Sequence, residues 1–143
     1  MIFLDTDAII AILRGKPDMA AFLAAHTKSI FAIPIIVLYE IYYGFYFPPL
    51  SKRFQKDITF LNRLKEEEQR MIQLLNDIQV FDLTLHAIKK SAELSASLDS
   101  KGLNIGKMDI LIAGIIFANG YYEILTNNVS HYDRIPNLKI YTY

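Results

Sequence analysis

Cysteine is missing from all 143 residues. Its absence excludes a disulfide scaffold, a thiolate zinc site and a cysteine nucleophile, and is compatible with a reducing, cytoplasmic setting. An excess of positive charge is missing as well, since 15 Lys and Arg balance 15 Asp and Glu. Proteins built for strong non-specific nucleic-acid binding are usually clearly basic. A nucleic-acid substrate would therefore have to be met by a local cluster of Lys and Arg. No basic stretch precedes the apolar N-terminal residues, so the start does not read as a signal peptide. There is no internal repeat, low-complexity tract or linker, and the length predicts a single domain over 1–143. The apolar fraction of 52% and charged fraction of 21% supply a core and carry no compositional sign of disorder.

One stretch imitates a membrane span. From Ile30 to Leu50, IFAIPIIVLYEIYYGFYFPPL, the only charge is Glu40. The length would cross a bilayer. Against this stand Pro34, Pro48 and Pro49, and an acid at the midpoint that costs roughly 3 kcal/mol on insertion scales. The surrounding chain alternates like a soluble α/β domain, which favours a protein without a membrane segment.

Apolar periodicity predicts the elements. MIFLD (1–5) reads as a buried strand, followed by a helix that Thr6 or Asp7 caps and Gly15 ends. PDMAAFLAAH reads as a helix with Pro17 first, and SIFAI (29–33) as a strand. Pro34 opens an apolar helix that Pro48-Pro49 closes. Residues 51–78 predict one long amphipathic helix or a hairpin of two, with Phe54, Ile58, Leu61, Leu64, Ile72 and Leu75 recurring at roughly helical spacing. QVFDL (79–83) is a third strand, 84–101 a helix ended by Gly102, and 108–119 a small-residue helix stopped by Asn119-Gly120. YYEILT and LKIYTY complete five strands. Strands alternating with helices imply a parallel sheet covered on both faces, with ligands beyond the carboxyl ends of its strands. Asp5 stands at such an end.

Glu40 is the hardest residue to explain as mere structure. A carboxylate among IIVLY and IYY costs several kcal/mol unless it is paired, protonated or bound to a metal. Its helical neighbours Ile36, Val37, Tyr43 and Gly44 are not polar, and Gly44 leaves room for a backbone or ligand to approach. The alternative is a wet-facing acid on an amphipathic helix. Asp109 opens the apolar helix DILIAGIIFA. It reads either as an acid favouring the helix dipole or as a site residue, with Ala113 and Gly114 keeping that helix thin against the sheet. Asp7 is assigned to capping. Thr126 ends the fourth strand, and Asn128, His131 and Asp133 follow; loop Asn and Asp usually form turns, and His131 reads as a surface residue. Clustered hard-oxygen ligands without His or Cys suit Mg²⁺ or Mn²⁺, which would relieve their mutual repulsion.

LDTDAIIAIL, IIVLYEIYYG, IGKMDILIAGIIFANG and ILTNNVSHYDRIPNLKIY, in this order along the whole chain, resemble the PIN-domain ribonucleases and, within them, the VapC-type toxins of toxin–antitoxin pairs. The resemblance implies a three-layer α/β/α domain around a parallel sheet of about five strands. It maps the metal acids to Asp5, Glu40 and Asp109, and the family's fourth position to Asn128, where many relatives carry Asp. It makes Thr6 and Thr126 supporting hydroxyls. Lys107, where an acid or neutral residue is common, becomes a phosphate contact. It implies Mg²⁺- or Mn²⁺-dependent endonucleolytic cleavage of RNA by metal-activated water, a homodimer, and an antitoxin partner. Tyr39, Tyr42, Phe45, Tyr46 and Phe47 exceed what one helix needs for a core, which assigns some of them to a dimer or antitoxin surface. Two rival readings remain. One is an aspartyl-nucleophile phosphatase, although such enzymes carry Thr where this chain has Ile9. The other is a PIN fold that binds RNA or protein without catalysis.

Overall fold

The computed structural model describes residues 1–143 throughout. Five short parallel strands form one sheet in the order β3-β2-β1-β4-β5. They are β1 (Ile2–Leu4), β2 (Phe31–Pro34), β3 (Gln79–Phe81), β4 (Glu123–Leu125) and β5 (Lys139–Tyr141). The helices are α1 (Thr6–Leu13), α2 (Pro17–Ala25), α3 (Ile35–Leu50), α4 (Ile58–Asp77), α5 (Leu85–Ser100), α6 (Lys107–Ala118) and the single turn α7 (Val129–Tyr132). The α/β/α layering expected from the sequence is present. No helix is long and apolar enough to cross a membrane.

The chain winds outward from β1 through β2 to β3, then returns to lay β4 on the other side of β1. This reversal opens a crevice beyond the carboxyl ends of β1 and β4, where ligands bind in open α/β sheets. Phe3, Leu4, Ile124 and Leu125 are buried in those two central strands. They pack with Ala8 and Ile9 of α1, Val37 and Ile41 of α3, and Ile112 and Ile116 of α6 in one core. Residues 5 and 126, the first past each strand, are thereby held at the crevice floor.

Several local expectations are corrected. Neither Thr6 nor Asp7 caps α1. Asp5 does, its Oδ1 accepting from the Thr6 backbone N–H at 2.8 Å. The strand ends with its apolar run at Leu4, one residue short of the 1–5 expected, and the extended Asp5 backbone supplies the cap. Pro48 and Pro49 do not close α3 but lie within its last turn. Proline removes only its own N–H, and Ser51 still closes the helix by donating to Phe47 and Pro48. Residues 58–77 form one helix rather than a hairpin; Asp57 caps it, accepting from Phe60 N–H at 3.0 Å. Ile58 and Ile72 point outward, while Glu67 takes a core position. Gly114 faces α5, not the sheet. A Cβ there would lie 1.9 Å from Ser91 Oγ and 2.8 Å from the Ala87 carbonyl oxygen. Gly44, by contrast, faces open space, in line with the room expected beside Glu40.

Candidate active site

The cavity at the crevice, about 450 Å³, is lined by Asp5, Thr6, Asp7, Ile10, Glu40, Gly106, Lys107, Met108, Asp109, Asn128 and His131. Asp5, Glu40, Asp109 and Asn128, proposed from the sequence as one set, thus share one cavity. So do Thr6 and Lys107. Thr126 lies beneath them, fully buried.

Each acid is tied to a neutral donor. Asp5 caps α1 with one oxygen and accepts from Thr126 Oγ1 at 2.9 Å with the other. Glu40, half-buried on α3, accepts from the Thr6 hydroxyl of α1. Asp109, in the first turn of α6, accepts from Tyr132 Oη at 3.3 Å, and His131 Nδ1 stands 3.1 Å from its other oxygen. Gly106, before α6, makes room for this carboxylate, because a Cβ there would sit 3.0 Å from Asp109 Oδ2. No Lys or Arg forms an ion pair with any of the three acids.

The electrostatics follow from burial without a cation. Burial pushes the Asp5 carboxyl up to about 6, with the Asp7 charge adding to the rise and the donors Thr6, Thr126 and Tyr132 opposing it. Burial also raises Asp109; the Glu40 charge adds to this, while His131 and Tyr132 pull it down. Tyr132 is fully buried between Asp5 and Asp109, and burial and both negative charges push its hydroxyl well above the usual phenol range.

Three residues play parts that the sequence reading missed. Asp7 is not a cap but a clamp between α1 and the loop after β4. Its Oδ1 accepts from Ala8 N–H at 2.9 Å and lies 3.1 Å from Thr126 Oγ1, whose single proton it shares with Asp5. Its Oδ2 accepts from Asn127 N–H at 2.7 Å and Tyr143 Oη at 3.3 Å. His131 and Tyr132 lie in a segment read as an irregular loop, which folds into α7 and turns both toward Asp109. The DRIPN run favours a turn reading, and four residues of helix leave too little periodicity to find.

The donor set fits a hard divalent cation by its chemistry: carboxylate and amide oxygens around one cavity, unpaired by Lys or Arg. The side chains line the cavity without converging as a ready-made cluster of three His, Cys, Asp or Glu donors.

The PIN domain model matches residues 2–135. The chain is 32% identical over 139 residues to Ribonuclease VapC2 of Rickettsia felis, covering 94% of this chain and 92% of that one. It is 26% identical over 137 residues to the tRNA(fMet)-specific endonuclease VapC of Salmonella typhimurium, covering 96% and 93%. Among solved structures, VapBC2 from Rickettsia felis bound to a DNA fragment from their promoter matches with TM-score 0.77 and 27% identity, over 100% of this chain and 99% of that one. DNA-bound VapBC from Salmonella typhimurium shares the fold, with TM-score 0.75 at 24% identity over 99% and 98%. The crevice acids therefore sit in a fold matched from end to end, and this chain belongs to the PIN-domain family.

Proposed function

We propose that this protein is a divalent-metal-dependent endoribonuclease and the toxin of a VapBC-type toxin–antitoxin pair. The observation that carries the reading is the placement of Asp5, Glu40 and Asp109 around one cavity at the sheet's switch point without a pairing cation. The named relatives are ribonucleases, and the similar solved structures are toxin–antitoxin complexes. Asp5, Glu40, Asp109 and the amide oxygen of Asn128 would hold Mg²⁺ or Mn²⁺. Such an ion supplies a nucleophilic water at neutral pH and stabilises charge on the phosphoryl oxygens.

The chain's own residues fix the geometry. Thr6 holds Glu40 toward α1, Thr126 holds Asp5, and Tyr132 holds Asp109. Donors of this kind orient ligands and are costly to lose. Lys107, exposed at the cavity rim, contacts a phosphate oxygen of the RNA. The aspartyl-phosphatase alternative needs Asp7 free for proton transfer, but its two oxygens already accept from the Ala8 and Asn127 N–H groups and share the hydroxyls of Thr126 and Tyr143.

The antitoxin's place is a second cavity, also about 450 Å³, at the α3–α4 junction. It is lined by Phe45, Tyr46, Pro49, Leu50, Ile58 and Leu61 among others, and Leu50 and Ile58 are 79% and 67% exposed. Self-association into a dimer belongs to the same reading and is checked by light scattering.

The deciding experiment incubates labelled single-stranded RNA with protein in Mn²⁺ and in chelator. Internal cleavage in Mn²⁺, absent with chelator and absent in Asp109→Asn, is the expected result. Undiminished cleavage by Asp109→Asn overturns the site. Tight RNA binding without cleavage by the parent would mean a binding module instead.

A further inference from the structure

The acid cavity does not end at Asp109. A polar recess of about 210 Å³ opens beside it, lined by Asn104, Ile105, Gly106, Asp109, Ser130 and His131. Gly106, Asp109 and His131 line both spaces, so the two are continuous. Gly106 carries no side chain across the junction, and a Cβ there would crowd Asp109 Oδ2 at 3.0 Å. The walls of the recess are the loop before α6 and the turn α7. Arg134, just past α7, ties them together by donating from Nη1 to the Asn104 carbonyl at 3.3 Å.

What the recess lacks identifies its occupant. No Lys or Arg lines it and a carboxylate does, so it repels a phosphate rather than holding one. Lys107 lines the acid cavity but not the recess. Ile105 is the one apolar side chain of the lining, and no Phe, Tyr or Trp is there to stack a base. What remains is a hydroxyl, an amide, a carboxylate and an imidazole, a set that suits a hydroxylated sugar.

His131 supplies the discriminating atom. Its Nδ1 is 3.1 Å from Asp109 Oδ2, and its side chain is 53% exposed. In a neutral imidazole one nitrogen donates and the other accepts. The carboxylate facing Nδ1 assigns the hydrogen to that nitrogen. Nε2 then keeps a lone pair to accept from a hydroxyl. An RNA-selective enzyme of this kind needs such a contact. In the proposed cleavage water attacks phosphorus, and the ribose 2′-hydroxyl takes no part. That chemistry alone would treat DNA like RNA, and the 2′-hydroxyl is the group by which a protein tells them apart.

We propose that the recess is a ribose subsite beside the scissile phosphate, in which His131 Nε2 accepts from a 2′-hydroxyl and so selects RNA over DNA. It rests on the ribonuclease reading for the identity of the ligand. His131 is here a specificity residue and takes no part in the bond change.

The test compares three fluorescein-labelled twelve-nucleotide oligouridylates on the full-length protein: ribose, 2′-fluoro and 2′-deoxy. Fluorine keeps a ribose-like pucker but has no hydrogen to donate. In Mn²⁺ the parent should favour the ribose oligomer over both analogues in kcat/KM on the order of tenfold, about one hydrogen bond's net worth. His131→Asn retains an amide N–H toward Asp109 and loses the atom at Nε2. Its ribose-to-fluoro ratio should fall close to one. Any loss common to both substrates, a lower folded fraction included, cancels in this ratio. His131→Gln brings an amide oxygen near the Nε2 position and should retain part of the preference. An unchanged ratio in His131→Asn overturns the subsite and leaves His131 as a positioning residue for Asp109. A parent that cuts all three oligomers alike also removes the subsite, and leaves the activity. Binding is read separately by fluorescence anisotropy in chelator. A parent that never cuts, yet binds the ribose oligomer more tightly than the fluoro one with a preference lost in His131→Asn, removes the proposed activity and leaves the subsite.

Discussion

Two regions of this molecule take carboxylates out of water, and they treat them in opposite ways. Glu67 of α4 is 3% exposed, and its Oε1 lies 2.9 Å from Arg14 Nε and 3.6 Å from Arg63 Nε. Arg70 completes the α1–α4 seam by donating to the Leu13 carbonyl at 2.6 Å. Asp5 is 4% exposed but meets only hydroxyls, a backbone N–H and other acids. Burial of charge is thus not by itself a mark of function. The mark is burial without a countercharge, which leaves the fold carrying an electrostatic cost that a bound cation would remove.

The largest expected effect sharpens this contrast at the cavity. Asp5→Asn and Asp109→Asn should each lower Mn²⁺-dependent RNA cleavage by more than about 100-fold, the upper end for losing even an outer-shell partner of a metal. Both should melt in chelator at or above the parent's temperature, because like-charge repulsion is relieved. A variant that melts well below the parent would show that the cavity acids stabilise the fold, and the comparison would fail.

The seam should behave the other way. Arg14→Met leaves Glu67 buried with Arg63 alone and should lower stability by roughly 2 kcal/mol. That is less than a fully buried pair loses, since Arg63 remains. Cleavage per folded molecule should not change. Denaturant unfolding beside an activity assay checks both halves.

Acidity separates the regions more gently. Asp5 holds its proton to about 6 in the folded protein, against 3.8 for an ordinary Asp. Protonation therefore favours the fold: this stabilisation is complete below about 3.8 and is lost as pH rises through about 6. In chelator, lowering pH from 7.5 to 5 should stabilise the parent by roughly 1 kcal/mol through this group. Asp109, also raised, acts in the same direction. The gain from Asp5 should vanish in Asp5→Asn, and saturating Mn²⁺ should oppose it. Melting curves at the two pH values, with and without Mn²⁺, test this.

The smallest effect is expected at Asp7. Asp7→Asn places an amide against the Ala8 or the Asn127 N–H and should cost roughly 1 kcal/mol of stability, about one hydrogen bond's net worth. Cleavage should stay close to the parent's. Abolished turnover in a folded Asp7→Asn protein would move Asp7 from clamp to chemistry.

The contrast between the regions also explains what the sequence made legible. Glu40 stood out because its neighbours are apolar, yet it is only half-buried and faces a hydroxyl. Glu67 sits in KEEEQR, which reads as a solvated face, yet it is among the most buried acids in the chain. Local composition reports what surrounds a residue along the chain, while burial is decided by α1 and α4 meeting in space. Parallel strands, helix spans and the carboxyl-edge position of Asp5 were readable because periodicity and strand ends are local. The clamp at Asp7 and the support of Asp109 by Tyr132 were not. Asp7 reaches Asn127 across 120 positions and Tyr143 across 136, and no local pattern announces such pairings.

That separation bears on how the protein is made. The cavity floor is one hydrogen bond between residues 5 and 126, 121 positions apart, and the wall at Asp109 is held by Tyr132. A chain emerging from the ribosome has its first acid just past the opening strand but cannot complete the cavity until β4 docks on β1 and α7 follows. Contacts of such long range form late, because the loop they close must first be ordered. A partly synthesised chain therefore carries every acid of the set before the contacts that hold them around one cavity can form.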